Sequence, residues 1–313
     1  MDLISIVIPC LNEEKNIPIY CKEVSKVIKG DAELSNLSFE FIFIDDGSDD
    51  KTLELIKKLS KVHEQIKFIS FSRNFGKEAA IYAGLKNSSG DFVILMDADL
   101  QDPPSLLPQM YSFIKSGVYD CVATRRISRK GEPVIRSIIT RAFYKLINMI
   151  SETKIVDGAR DFRLMNRQVV DSILKMSEYN RFSKGIFSWV GFETKWLNYE
   201  NIERKNGESN WSFWNLLIYA IDGILSFSTV PLYISTITGI IFSILAVIFM
   251  MIVIIRTLFF GDAAVEGWTS IMSVILFLGG IQLFSIGVLG QYLSKTYLET
   301  KNRPIYICKE TNI

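Results

Sequence analysis

The segment Phe92-Val93-Ile94-Leu95-Met96-Asp97-Ala98-Asp99-Leu100-Gln101-Asp102-Pro103-Pro104 joins an apolar run to two carboxylates spaced i, i+2 and an amide at i+4. In an extended chain those three side chains fall on one face. Oxygen donors of this kind suit a hard divalent cation such as Mg²⁺ or Mn²⁺. A metal held this way also grips phosphates, for example the diphosphate of a nucleotide-sugar. The same residues equally make an Asp/Pro-rich turn that closes a strand. Taken alone they do not choose between the two.

Two more clusters carry related chemistry. Pro9-Cys10-Leu11-Asn12-Glu13 follows one apolar run and Asp45-Asp46-Gly47-Ser48 follows another. The elements that must position them alternate in type. Ile4 to Ile8, Phe39 to Ile44, Lys67 to Phe71 and Phe92 to Met96 read as buried strands. Glu14 to Lys29, Thr52 to Lys61 and Lys77 to Asn87 have helical spacing, the second capped near Ser48 to Asp50. Strands alternating with helices predict an α/β domain with a mostly parallel sheet. Ligands of such sheets bind beyond the carboxyl ends of the strands, where all three clusters lie. No GxGxxG follows the first strand and no GxxxxGK[ST] occurs, which argues against a dinucleotide site and a P-loop.

The balance of 35 Lys+Arg against 34 Asp+Glu gives no general attraction to nucleic acid. Cys10, Cys21, Cys121 and Cys308 form no CxxC pair and read as reduced thiols. His63, the single histidine, lies in a charged stretch and reads as a surface residue, so His-based triads and His-ligated metals are disfavoured. The mean hydropathy of +0.22 is high for a soluble chain, and the excess is in the last third.

Leu232 to Ile255 and Ser270 to Gly290 are uncharged and long enough to span a bilayer. The link between them holds Asp262 and Glu266, whereas the following tail holds Lys295, Lys301, Arg303 and Lys309. This bias predicts a two-helix hairpin with the tail and the N-terminal domain in the cytoplasm, with Arg256 at the outer end running against it. Leu3 to Pro9 is too short for a secretory leader and lacks a basic start, in keeping with a cytoplasmic N-terminus. Val134 to Ile150 and Trp211 to Phe227 are amphipathic; they would serve as core helices or, beside membrane spans, as helices lying in the lipid interface.

In their order these motifs resemble the family 2 glycosyltransferases of GT-A fold, above all the polyprenyl-phosphate glycosyltransferases. Those include dolichyl-phosphate mannose synthase and the bactoprenol (undecaprenyl-phosphate) glucosyltransferases. The resemblance rests on Val7 to Pro9 with Asn12-Glu13, Asp45 to Ser48, Ser72-Arg73-Asn74-Phe75-Gly76-Lys77, Asp97 to Asp99 and Gln101 to Pro104. It continues through Asp161-Phe162-Arg163-Leu164, Gly207-Glu208-Ser209, Ala220 to Ile224, the two apolar spans and Arg303-Pro304. It implies a Rossmann-like, mostly parallel sheet with flanking helices, interfacial helices and a transmembrane hairpin. The expected divisions are a catalytic domain at 1–210, an interfacial helix at 211–229, a membrane region at 230–292 and a cytoplasmic tail at 293–313.

The resemblance also implies roles. Asp97, Asp99 and Gln101 would bind Mg²⁺ or Mn²⁺ bridging the donor diphosphate. Pro9, Asn12, Glu13 and Asp46 would contact the nucleoside, with Lys77 and Ala98 also on the donor. Arg125, Arg136 and Thr140 would receive the acceptor phosphate, and Arg204 with Ser209 would clamp phosphate from a loop. Asp161 would face the transferred sugar as a base or orienting group, with Asp157 as the second candidate. The implied reaction is inverting transfer of a hexose from a nucleotide-sugar to polyprenyl phosphate at the cytoplasmic membrane. Such a chemistry needs little deprotonation, because a phosphate acceptor is already anionic; it needs desolvation, alignment and relief of charge repulsion. The partners expected are the donor, the lipid acceptor and the bilayer, with a homo-oligomer compatible and nucleic acid not expected.

Two departures stand out. Many relatives have glycine where this chain has Arg160, which would place a guanidinium near the sugar pocket. Relatives often have lysine where Asn210 stands. The rival readings are a processive polysaccharide synthase, which would carry a Gln-x-x-Arg-Trp motif and more spans, and a non-catalytic scaffold or sugar-lipid translocation partner.

Overall fold

The computed structural model describes residues 2–127, 148–150, 154–200, 221–260 and 268–313. Its centre is an eight-stranded sheet. The strands are β1 Leu3–Cys10, β2 Ser38–Asp45, β3 Ile66–Phe71, β4 Phe92–Leu95, β5 Cys121–Arg126, β6 Ala159–Asn166, β7 Thr194–Tyr199 and β8 Cys308–Thr311. Their spatial order is β7-β5-β6-β4-β1-β2-β3-β8. The pairs β1–β2, β1–β4, β2–β3 and β5–β7 are parallel; β4–β6, β5–β6 and β3–β8 are antiparallel. The expected α/β architecture and mostly parallel sheet are therefore present.

Helices α1 Ile17–Gly30, α2 Thr52–Val62, α3 Lys77–Lys86 and α4 Leu107–Lys115 follow the first four strands and the turn after β4, and α5 Arg167–Leu174 and α6 Ser183–Trp189 follow β6. The period-2 alternation of the strands decides which helix packs where. Ile4, Ile6, Ile8, Phe41 and Phe43 face one layer, with α1 and α4 residues Tyr20, Val24, Met110 and Tyr111. Val7, Ile42 and Ile44 face the other, with Ala79, Ala80, Ala83 and Val170 of α3 and α5. The buried face of α3 includes the small residues Ala79, Ala80, Ala83 and Gly84, which let the helix lie close to the sheet.

The sequence boundaries shift only slightly: the first helix starts at Ile17 rather than Glu14, since the chain from Leu11 to Asn16 is spent on a loop. Asp50 accepts the Thr52 N–H at 2.9 Å at the start of α2, inside the stretch expected to cap it. Only residues 148–150 of the first amphipathic segment are described, and they are helical; of the second, 221–227 are helical. The remainder of both lies outside the described residues.

Two long helices, α7 Val230–Phe260 and α8 Trp268–Thr300, contain the apolar spans. Both are long and apolar enough to cross a membrane, over Val230–Ile252 and Ser273–Thr300. Beyond them the chain turns back to the sheet, a strand the sequence reading did not anticipate. β8 pairs with β3, Tyr306 stacks on Phe71 with centroids 4.9 Å apart, and Asn312 accepts the Phe68 N–H at 2.6 Å. The short polar segment Cys308–Thr311 has no apolar alternation to announce a strand. It forms because β3 offers an unpaired edge.

A Cβ on Gly84 would lie 2.2 Å from Val7 Cγ1 and 2.8 Å from Ile44 Cδ1. Gly84→Ala is therefore expected to destabilise the domain by about 1–3 kcal/mol through overpacking. Thermal unfolding of the purified chain measures this, and an unchanged midpoint would contradict the flush helix–sheet contact.

Candidate active site

Strand register assembles the site. In the antiparallel β4–β6 pair Leu95 is opposite Arg163. Continuing two residues along each chain brings Asp97 and Asp161 to the same place. Two carboxylates there repel each other, and α3 supplies the cation that resolves it. Lys77 Nζ donates to Asp97 Oδ2 and to Asp161 Oδ2, each at 2.7 Å. Burial works to raise the Asp161 pKa, but Lys77, with Lys184 and Arg163, outweighs it and holds that carboxyl well below the usual range. Burial likewise opposes the Lys77 charge, and Asp161 and Asp97 overcome it and keep the ammonium protonated. The Lys77 side chain is 44% exposed, so water tempers these attractions.

Lys77 is delivered by a loop that Asp46 holds. The Asp46 carboxylate accepts the N–H of Phe75 at 2.7 Å and of Gly76 at 2.9 Å. Gly76 has φ +95°, which turns the chain into α3. Gly47 is needed for the same approach: a Cβ there would meet the Arg73 carbonyl carbon at 2.6 Å. The β1 and β2 loops are joined in turn. Asn12 N–H donates to Ser48 Oγ at 3.0 Å, its Oδ1 accepts Asp49 N–H at 2.9 Å, and Glu13 N–H donates to Thr52 Oγ1 at 2.8 Å. Glu13 also accepts Asn16 Nδ2 at 2.6 Å. Asn12, Glu13 and Asp46 thus stand together at the carboxyl ends of β1 and β2, with half-buried Pro9 beside them.

The Asp97–Asp102 turn is tight. Leu100 has φ +57°, a left-handed conformation that costs an apolar residue about 1–2 kcal/mol. Its side chain packs against the core, and the Gln101 N–H donates to Asp99 Oδ1 at 3.1 Å. Ala98 and Asp99 are buried. Below the turn, Asp102 accepts the Tyr199 hydroxyl at 2.8 Å and Arg160 Nε at 3.3 Å, while Arg160 Nη2 donates to Gln101 Oε1 at 3.2 Å. Burial pushes the Asp102 carboxyl up to about 6, with Arg160 pulling the other way. Buried Arg163 donates to the backbone carbonyls of Asp161 and Arg160 at 3.3 and 3.0 Å and lies 3.5 Å from the Phe187 ring centre.

Asp97, Asp99 and Gln101 offer oxygen donors from one turn, the right chemistry for a hard divalent ion. Among the described residues no three His, Cys, Asp or Glu side chains close into a cage. The set suits an ion held by few protein donors and completed by substrate phosphates, as Mg²⁺ commonly is.

Arg125 lies on β5 opposite Ala159, next to the start of the Arg160–Asp161 segment. Asp157 is on the exposed turn before β6. Arg136, Thr140, Arg204 and Ser209 lie outside the described residues.

The Glycosyl transferase family 2 model matches residues 5–174. This chain belongs to that family. The glycosyltransferase is 46% identical to CsbB of Bacillus subtilis (strain 168), named as a glycosyltransferase, over 99% of this chain and 92% of that one. It is 44% identical to the prophage bactoprenol glucosyl transferase homolog of Escherichia coli (strain K12), over 98% of each chain. With the bactoprenol glucosyl transferase of Shigella phage SfII it shares 42% identity over 99% of this chain and 98% of that one. Among solved structures, glucosyl-3-phosphoglycerate synthase from Mycobacterium tuberculosis, in complex with Mn²⁺, UDP and phosphoglyceric acid, has a TM-score of 0.47 at 20% identity, covering 72% of this chain and 76% of that one.

Sequence reading of this glycosyltransferase missed Glu78, Ser183, Lys184, Asp102 and Tyr199. Asp102 was visible beside Gln101, but Tyr199 and Ser183 carry no local signal. Glu78 accepts the Ser183 N–H at 3.0 Å and its hydroxyl. Burial pushes the Glu78 carboxyl from 4.5 up to about 7, and the Ser183 bonds only partly offset this. A carboxyl raised on folding favours the folded state below its unfolded pKa of 4.5, and that contribution is lost as pH rises through about 7. Glu78→Gln keeps an acceptor for Ser183. It is expected to add about 1–2 kcal/mol of stability near pH 8 and nothing below about pH 4. Unfolding midpoints at the two pH values check this; equal shifts at both would contradict it.

Proposed function

We propose that this glycosyltransferase moves a hexose from a nucleotide-sugar, UDP-glucose or UDP-N-acetylglucosamine, to a polyprenyl phosphate in the membrane, with inversion and with Mg²⁺ or Mn²⁺. The observation that carries the reading is the Lys77 bridge, which unites the Asp97–Gln101 turn with Asp161 at the carboxyl ends of the strands in a chain that also has two apolar helices. Relatives named bactoprenol glucosyl transferase, aligned over nearly the whole chain, support the lipid acceptor and glucose.

In this reading Asp97, Asp99 and Gln101 would hold the metal, whose charge would offset that of the donor diphosphate. Pro9, Asn12, Glu13, Asp46 and Ala98 line the donor site. Lys77 keeps Asp97 and Asp161 together and adds positive charge beside the leaving diphosphate. Arg125, Arg136, Thr140, Arg204 and Ser209 receive the acceptor phosphate. An oxygen of that phosphate forms the new bond to the anomeric carbon as the bond to the diphosphate breaks. Because Asp161 stays ionised and is a weak base, its role here is to orient the sugar hydroxyls rather than to take a proton. Asp157, on the exposed turn, is the lesser candidate.

The proposed organisation is a catalytic domain at 1–210, an interfacial helix at 211–229, a two-helix membrane region at 230–292 and a tail at 293–313. β8 supports it: the tail pairs with β3 of the catalytic domain, in keeping with a hairpin that returns to its starting side. That side would be the cytoplasm, by the charge bias of the loops. A scaffold would gain nothing from gathering four acidic side chains, Asp97, Asp99, Asp102 and Asp161, against desolvation.

Purified chain is assayed with polyprenyl phosphate and radiolabelled UDP-glucose, UDP-N-acetylglucosamine or GDP-mannose, with and without EDTA. A sugar-lipid from a UDP-hexose, abolished by EDTA, is expected. Asp99→Ala and Asp161→Asn are each expected to lower turnover by about 10²-fold or more. Absence of sugar-lipid with every donor would overturn the reading, and full activity in Asp99→Ala would remove the metal assignment.

A further inference from the structure

Arg160 stands where many relatives have glycine, and two of its guanidinium nitrogens have partners in the Asp97–Asp102 turn. Nε faces Asp102 Oδ1 at 3.3 Å and Nη2 donates to Gln101 Oε1 at 3.2 Å. Asp102 is 1% exposed and its Oδ2 has no hydrogen-bond partner among the described residues. A buried carboxylate so placed depends on its counter-ion, so Arg160 is fixed by charge. Tyr199, 8% exposed, donates its hydroxyl to the same Asp102 Oδ1 at 2.8 Å. The Arg160 backbone is fixed too, by the Arg163 guanidinium on its carbonyl at 3.0 Å. The Nη2 of this anchored guanidinium ends on the amide oxygen of Gln101, next to Leu100, whose left-handed conformation makes the turn costly to hold.

We infer that Arg160 is a positioning residue: anchored on Asp102, it aims the Gln101 amide oxygen at the divalent cation of the donor site. This rests on the metal-dependent reading above. An amide oxygen has two lone pairs, so one takes Arg160 Nη2 and the other faces the cation. The planar guanidinium reaches Asp102 and Gln101 at once, whereas a lysine ammonium is a single point charge on a flexible stem. Without the hold, Gln101 must order its own side chain on binding, and loss of such outer partners typically weakens metal binding about 10–100-fold.

The test is a Mn²⁺ titration of the full chain by electron paramagnetic resonance with saturating UDP. Arg160→Met, Arg160→Lys and Gln101→Ala are each expected to weaken Mn²⁺ binding about tenfold. Arg160→Met combined with Gln101→Ala should be no weaker than Gln101→Ala alone, because both remove the same hold. If Arg160→Met fails to fold, the cycle is run with Arg160→Lys. Tyr199→Phe, which loosens only the anchor, should weaken binding less than Arg160→Met does. Wild-type Mn²⁺ affinity in Arg160→Lys, or losses that add in the double variant, would overturn the inference alone. A wild-type chain that binds no Mn²⁺ would overturn the metal reading and this inference with it.

Discussion

Asp97 and Asp161 come from strands that run in opposite directions, and the β4–β6 register forces their carboxylates to one point. Left alone they would repel. Lys77, at 2.7 Å from each, offsets that repulsion and ties the end of β4, the start of β6 and the start of α3 into one unit. The rest of the site is arranged so that this cation can arrive. Asp46 holds the preceding loop by two backbone N–H groups, and Gly47 lets the β2 turn press against that loop. The interaction is partly open to water, so its importance lies in geometry more than in stability.

The carboxyl ends of the strands gather groups of different use. Asn12, Glu13, Ser48 and Thr52 join the β1 and β2 loops, which leaves that edge pre-organised before any ligand arrives. On the other flank half-buried Arg160 joins buried Asp102 and Tyr199 in a polar group next to the strained turn. Such a network is expensive unless its members are satisfied, and the partnerless Asp102 Oδ2 leaves this one dependent on the Arg160 charge.

The sheet also carries the connection to the apolar helices. Glu299, at the end of α8, accepts the Tyr179 N–H at 2.8 Å, Lys295 pairs with Asp222 at 3.2 Å, and Tyr292 donates to the Ser228 carbonyl at 2.6 Å. After these, Tyr306 and β8 dock on β3, directly before the Ser72–Gly76 loop that leads to Lys77. The C-terminal strand therefore covers an edge that would otherwise invite pairing with another chain, and it does so beside the segment that carries the bridging lysine.

Local sequence was enough for the strand–helix alternation, the placing of Asp46, Asp97 and Asp99 after strands, and the two apolar spans. Each of these is written in periodicity or in turn chemistry over a few residues. The pairing of Asp97 with Asp161 was not legible, because it depends on the register of strands far apart in sequence. The partners of Arg160 were not legible for the same reason: Gln101 and Asp102 reach it only through the β4–β6 pairing, and Tyr199 through the parallel β5–β7 pair. Strand β8 was invisible because Cys-Lys-Glu-Thr has no alternation of its own and borrows its conformation from the edge of β3. Sequence by itself determined which chemistry was present and at which end of the sheet. Only the tertiary structure decided which charges meet, since opposite charges choose partners by distance in space and not by spacing along the chain.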